Sequence, residues 1–546
     1  MSLGRIAPAV RARLLPFVYA NPLYGLLLGN RAPAELRGTP ADPWPGDRDT
    51  GSVMVEGDLI VAGDRVRLSD DPWRRPPTGI VARAELHGFT WLRDLRALGS
   101  EAARRRAVGL TDGWIQTFDN WSRLAWRPDV VGNRLFSWFA NFGFLRAAAE
   151  PEMAARLLRS AARQARHLVR TVEEEPADHR RFAAIKGLLA AGVCLAGQDR
   201  MLAAGIAALS RELSRQLLPD GGHVQRSPAI LAHVLRDMID IRNLLITGHV
   251  EVPADLQGAI DRVAPMLRAL RYGDGRLGLF HDGLEDDEHQ VQTILALSGS
   301  RGRPPTNAPH SGFQRIAAGR SLLLFDGGAP PLPGYDSVAH AGALSFEMSI
   351  GKDRLIVNYG ARTVDDVQWH LAMRGSAAHS TLSVDEKNSA EVVAGGLRRR
   401  PSAVTCERRE VDGNVLIEAS HDGYADVMGL IHRRLLYVSD DGGDLRGEDV
   451  LARVSRSSAR GGHSFAIRFH LHPGVRASLA ASGDSVILRL PSGDGWRFRA
   501  AGGRPQLEDS VYLGAPGVPR RCQQIVVRGA VNGDLTTVKW RLAREA

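Results

Sequence analysis

The sequence predicts an α+β multidomain protein, a helical domain followed by a large antiparallel β-sandwich, and three observations predict it. Between about residues 90 and 300 apolar residues recur at helical spacing. Beyond that stretch the apolar period falls to two. Between the two regimes lies "SGSRGRPPTNAPHSG" (298–312), rich in Gly, Pro and Ser, which reads as an interdomain linker. At 546 residues the chain exceeds what one hydrophobic core serves.

Taken in order, the N-terminal thirty residues combine early arginines with a patchy apolar run interrupted by Arg11 and Arg13. They read as an amphipathic lead-in helix in preference to a signal peptide. "GSVMVEGDLIVAGDRVRLS" (51–69) alternates apolar residues around Glu56-Gly57 and Ala62-Gly63 and reads as a short β passage. Residues 1–84 are therefore set apart as a lead-in segment. In 85–300, Leu202, Ile206, Leu209, Leu213 and Leu217 share one helical face, as do Leu231, Val234, Met238, Ile241 and Leu245. Trp91, Trp114, Trp121, Trp126 and Trp138 open this region as core anchors or sugar platforms, core being the commoner role. In 301–546, Leu344, Phe346, Met348 and Ile350 alternate, as do Phe465, Ile467, Phe469 and Leu471. Val486, Leu488 and Leu490 follow, then Trp496 and Phe498, with "DGG", "SGD" and "NGD" turns between the runs.

Composition narrows the function classes. With 44% hydrophobic and 24% charged residues and no apolar run of spanning length, nothing reads as an integral membrane segment. Cys194, Cys406 and Cys522 are too far apart in sequence for a CxxC pair or a disulfide framework. The formal charge of +9 suits an anionic partner, but arginine is spread along the chain, and no nucleic-acid motif accompanies it.

Six stretches, in this order and spacing, resemble the heparinase II/III-like polysaccharide lyases: "LHGFTWLRDL" (86–95), "WRPDVVGNRLFSWF" (126–139), "DGGHVQRSP" (220–228), "HAGALSFEMS" (340–349), "AAHSTLSVDEKNSAEV" (377–392) and "RFHLHPGV" (468–475). The resemblance implies an incomplete (α/α) toroid followed by an antiparallel β-sandwich. It also implies β-elimination in a uronate-containing acidic polysaccharide: a base removes the C5 proton, an acid protonates the departing C4 oxygen, and the sugar carboxylate must be neutralised. A catalytically weakened relative that binds acidic surface or capsular glycan is the alternative. The resemblance further implies a cell-envelope or periplasmic location, with the cytoplasm as alternative; a homodimer stays open.

Several residues are singled out. His223 is the proton-transfer candidate and Arg226 the carboxylate partner, with Gln225 where the family often carries glutamate. Ile230 and Leu231 occupy the places of the usual Tyr-His pair. The competing reading makes Ser227 a helix cap and Pro228 a first-turn residue. Tyr335 is a substitute phenol, and Asn133, Arg134 and Arg374 are substrate-binding candidates. Family members that bind zinc imply a metal set of His340, Asn358 and His379, structural in role. Asn358 is a weaker donor than a carboxylate, and Val338 and Gly342 replace the family's first histidine and aspartate. A hydrogen-bonded histidine pair and a direct catalytic role for His340 are the open alternatives. His470 and His472 read as a structural pair and His281 as a turn residue.

Overall fold

The computed structural model describes residues 8–174, 176–361, 367–454, 462–515 and 519–545. The chain forms two compact units, one of residues 1–216 with 234–260, the other of residues 217–233 with 261–546. The break expected near residue 300 thus lies inside the second unit. The supposed linker is tied down there: Arg268 donates to the carbonyl of Gly302 at 2.9 Å, and Asn307–Ala308 pairs with the following strand.

The first unit is helical. Its short β passage is a single hairpin, Asp58–Val61 with Asp64–Arg67. The preceding residues correct the expectation: Arg48–Glu56 is a helix, because Asp47 caps its first turn and Gly57 ends it in the left-handed region at φ 119°. The longer helices are Glu101–Phe118, Pro128–Ala140, Pro151–Thr171, Arg180–Cys194 and Asp199–Gln216. Ser100 caps the first of these, and Pro128 and Pro151 open the next two, where a missing N–H costs nothing. Helices Pro128–Ala140 and Arg180–Cys194 meet through glycines. A Cβ at Gly187 would stand 2.3 Å from the Cα of Gly132, so the backbones approach closely only without side chains there. Trp114, Trp126 and Trp138 are fully buried, which makes them core anchors.

The second unit holds two antiparallel sheets, of eight and nine strands, that enclose one apolar core. Strands such as Asn414–Tyr424 and Leu430–Val438 alternate buried and partly exposed residues, as a sheet with one covered face requires. Ser321–Asp326 and Phe346–Ile350 are buried on both faces and lack that alternation. The expected runs supply the core: Val486 pairs with Phe498 and Leu488 with Trp496, and Trp540 lies flat on Phe346 at 5.7 Å. Leu344, expected in the strand, lies before it at φ 59°, where the chain turns into the sheet.

Among the described residues, no helix is long and apolar enough to cross a membrane.

Candidate functional site

Histidines from three separate segments of the second unit converge. His281 and Asp282, in "FHDG", both adopt left-handed backbone at φ 47° and 65°, which turns their side chains out of a tight reversal. His340 lies in the segment entering strand Phe346–Ile350, and His379 follows the short turn Ser376–Ala378. Hydrogen bonding assigns each tautomer. The Asp282 N–H donates to His340 Nε2 at 2.9 Å, so the proton of His340 is on Nδ1, which donates to His379 Nε2 at 3.0 Å. His379 Nδ1 donates in turn to the Gly375 carbonyl at 2.8 Å. The His340 N–H donates to His281 Nδ1 at 3.2 Å, leaving His281 Nε2 to donate to Asp326, 3.2 Å away.

Every ring nitrogen in this chain has a partner with all three rings neutral. Burial holds them so, pushing His379 down to about 4 and His340 well below the ordinary imidazole range, where neighbouring His379, His281 and Arg374 reinforce it. His281 is lowered by burial against the opposing pull of Asp326. The structure therefore shows the hydrogen-bonded histidine pair, extended by a third ring.

Asp326 ends the chain. Burial works to raise its carboxyl, but the charge of Arg226 and the hydrogen bond from His281 overcome it and hold the group below the usual carboxylate range. Arg226, at φ 57° just before helix Pro228–Thr247, donates from Nη2 to Asp326, from Nε to Ser311 O at 2.6 Å and from Nη1 to Ala329 O at 2.9 Å. Its guanidinium thus neutralises an internal carboxylate, which corrects the expectation that it meets a substrate's.

The loops carrying His340 and His379 are held from below. Arg434 Nη1 donates to the carbonyls of Leu344 and Ser380, each at 2.9 Å. Its Nε and Nη2 reach Asp449 at 2.7 and 3.1 Å, and Asp449 also accepts from His432 and Trp540. Gly342 stands where the family carries aspartate, and a Cβ there would lie 2.6 Å from the His379 ring: the imidazole occupies the side-chain space.

The three residues of the expected zinc set are each engaged within the protein. Asn358 Oδ1 accepts from the Ser380 N–H at 2.9 Å and its Nδ2 donates to Leu279 O, so the amide pins two loops. His340 and His379 bond to each other, and among the described residues no three His, Cys, Asp or Glu side chains are grouped to hold a metal ion.

Other expected residues are placed as follows. His223 is buried and its Nδ1 accepts from the Gln225 N–H at 3.2 Å; Gln225 is also buried. Pro228 opens its helix as the competing reading required. Tyr335 is half-buried in a loop. Arg374 donates to the carbonyls of Ala339, Val393 and Gly396, and its Nη1 lies 3.4 Å from His370 Nε2. Asn133 and Arg134 belong to the first unit. Arg134 is fully buried, its three nitrogens donating to Gln164, His87 O and Ala125 O while its plane covers Trp114 at 4.0 Å, so the expected substrate contact gives way to a core role. His470 bonds Ser510 and Ala377 O, whereas His472 packs on Tyr512; they share no partner. Sequence reasoning missed Asp282, Asp326 and His370. The Asp following His281 and the Asp closing the apolar run "SLLLFD" were the available signals.

A helical unit joined in sequence to a two-sheet antiparallel unit, with histidines gathered on the latter, defines a protein of the heparinase-like lyase fold. Family models described as "Heparinase II/III N-terminus" and "Heparinase II/III-like, C-terminal" match residues 99–298 and 300–541, and the chain belongs to this heparinase II/III-like family. It is 32% identical over 530 residues to "FtsZ-localized protein C" of Caulobacter vibrioides (strain NA1000 / CB15N), covering 94% of this chain and 91% of that one. Among solved structures it resembles heparinase III, with a TM-score of 0.71 at 14% identity over 100% of this chain and 86% of that one. It also resembles a heparan sulfate lyase from Pedobacter heparinus, with a TM-score of 0.61 at 17% identity over 98% and 88%. These structural likenesses establish the fold.

Proposed function

We propose that the protein is a polysaccharide lyase that cleaves a uronate-containing acidic glycan by β-elimination. The observation that carries this reading is the match of heparinase II/III family models to residues 99–298 and 300–541, nearly the whole chain. In the reaction the C5–H bond breaks, a C4=C5 double bond forms, the C4–O bond breaks, and the departing oxygen takes up a proton. On the second unit His223 and Tyr335 keep their places as proton-transfer candidates, with Gln225 as a candidate for positioning the sugar; Asn133, on the first unit, stays a separate substrate-binding candidate. The net charge of +9 favours an acidic polymer. Incubation of the pure protein with alginate, heparan sulfate or hyaluronan produces the ultraviolet band of the unsaturated uronate if the reading is right. No new absorbance on any of them overturns it.

A second reading, a relative that binds acidic glycan without cleaving it, is favoured by one specific observation. The guanidiniums of Arg134, Arg226 and Arg374 are all engaged inside the protein, so none stands ready to neutralise a uronate. Glycan binding by calorimetry with no accompanying absorbance is its signature. An envelope location accords with the family; a location shared with the FtsZ-localized relative is its rival, and fractionation of the tagged protein decides between them.

A further inference from the structure

We propose that the short helix Val367–Met373 faces the substrate, with Trp369 stacking on a sugar ring and His370 carrying the proton between C5 and the departing oxygen. This inference rests on the lyase reading above and names residues for it. His281, His340 and His379 cannot serve as they stand, since each ring nitrogen is bonded at 2.8–3.2 Å and none offers a lone pair. His370 differs. It is half-buried, and its Nε2 faces Arg374 Nη1 at 3.4 Å, the far limit of a hydrogen bond. A guanidinium only donates, so Nε2 is the acceptor in that contact. The loosely engaged lone pair takes the C5 proton and delivers it to the C4 oxygen, so the ring ends as it began and the sugars are neither oxidised nor reduced overall.

The surroundings suit that role. Asp282, whose backbone N–H bonds His340, is electrostatically coupled to both His370 and Arg374; burial raises its carboxyl, and those two neighbours oppose the rise. On the helix's outer side Val367 and Trp369 are 58% and 46% exposed, while Met373 anchors the helix in the interior. An indole so exposed, one residue from an imidazole, is the usual chemistry for holding a pyranose face. Arg374, fixed by three backbone carbonyls, sets the position of the helix's C-terminal end.

The test uses the full chain and its His370→Gln, Trp369→Ala and Trp369→Phe variants, with melting temperatures confirming the fold. Each is assayed for cleavage and for calorimetric binding of alginate, heparan sulfate and hyaluronan oligosaccharides. His370→Gln is expected to lower kcat by roughly a hundredfold or more with KM unchanged. Trp369→Ala is expected to weaken binding by about tenfold, and Trp369→Phe to restore most of it. Cleavage by His370→Gln at the wild-type rate overturns the proton-transfer role and leaves the lyase reading standing. Equal binding by Trp369→Ala overturns the stacking role. Binding without cleavage by the wild type overturns the lyase reading and the role of His370 together, while Trp369 is still judged by its own affinity. A wild type that neither binds nor cleaves overturns everything proposed.

Discussion

The ion pair of Arg434 and Asp449 offers the sharpest test of how the histidine loops are held. Both side chains are 0% exposed, and Asp449 accepts from Arg434 twice, from His432 and from Trp540. Burial works against its charge, but Arg434 and the His432 hydrogen bond hold the carboxyl below the ordinary range. Replacing one partner, by Arg434→Met or Asp449→Leu, strands the other charge in the core, and each single variant is expected to cost about 3–5 kcal/mol. At roughly 2 °C per kcal/mol for a unit of this size, the melting temperature falls by about 6–10 °C. The double variant strands no charge. Its loss is expected to stay close to that of one single variant, well short of the sum, because what persists is the orphaning of Leu344 O, Ser380 O and the donors of His432 and Trp540. Urea unfolding of all four proteins measures the coupling, and nitrogen NMR of His340 and His379 reports whether their tautomers survive the lost clamp. Simple additivity, or single variants that cost under about 1 kcal/mol, would refute the account.

Stability should fall as pH drops below about 6.5, because His379, depressed to about 4 in the fold, binds its proton first in the unfolded chain. That ring alone accounts for about 3 kcal/mol between pH 6.5 and 4, and a melting temperature that stays flat from pH 7.5 to 5 contradicts it. Asp326 and Asp449, held below their unfolded values, add stability that disappears only below about pH 4, so acid unfolding should show its first decline before the carboxylates titrate. Gly342→Ala places a methyl 2.6 Å from the His379 ring and should cost about 1–3 kcal/mol while breaking the His340–His379 bond, visible as shifted imidazole resonances. Gly132→Ala meets the Ala183 carbonyl at 2.0 Å and should lower the melting temperature through the helical unit, leaving those resonances in place.

The periodicities that located the helices and strands survive in the structure because they record one-sided burial. Val415, Ile417 and Ala419 alternate with half-buried neighbours since one face of their strand meets the core, and Leu209 and Leu213 recur since one helical stripe does. Where burial is two-sided or the element is short, the pattern fails. "SVMVE" alternates like a strand yet is helical, because Asp47, outside the window in which the alternation was read, caps its first turn, and Gly57 ends it as a helix C-cap and not as a hairpin turn. The site was legible in part for a different reason. His340 and His379 stand out by residue type, but their partners are fixed by backbone: Asp282 through its amide and Gly375 through its carbonyl. A backbone donor leaves no mark in sequence. Arg226 and Arg374 read as substrate contacts because nothing local shows that Asp326 lies 100 positions away, or that Gly396 presents a carbonyl to Arg374.

The arginine surplus shows why charge counting misplaces function. Arg134, Arg226, Arg354, Arg374 and Arg434 are all buried, and each meets a carboxylate or backbone carbonyls. A guanidinium in that setting satisfies loop carbonyls that no strand or helix pairs, which a fold with long connections needs in quantity. These cations therefore belong to the scaffold, although the net charge counts them with the rest. A uronate brought to the second unit must then find its neutralising contact elsewhere, in a neutral donor or in an acid kept protonated. Trp369 and His370, beside Arg374, are the residues proposed to meet the sugar there, which makes the His370→Gln and Trp369→Ala assays more informative than removal of any arginine. An arginine variant here lowers activity through the fold, and a loss so produced says nothing of chemistry.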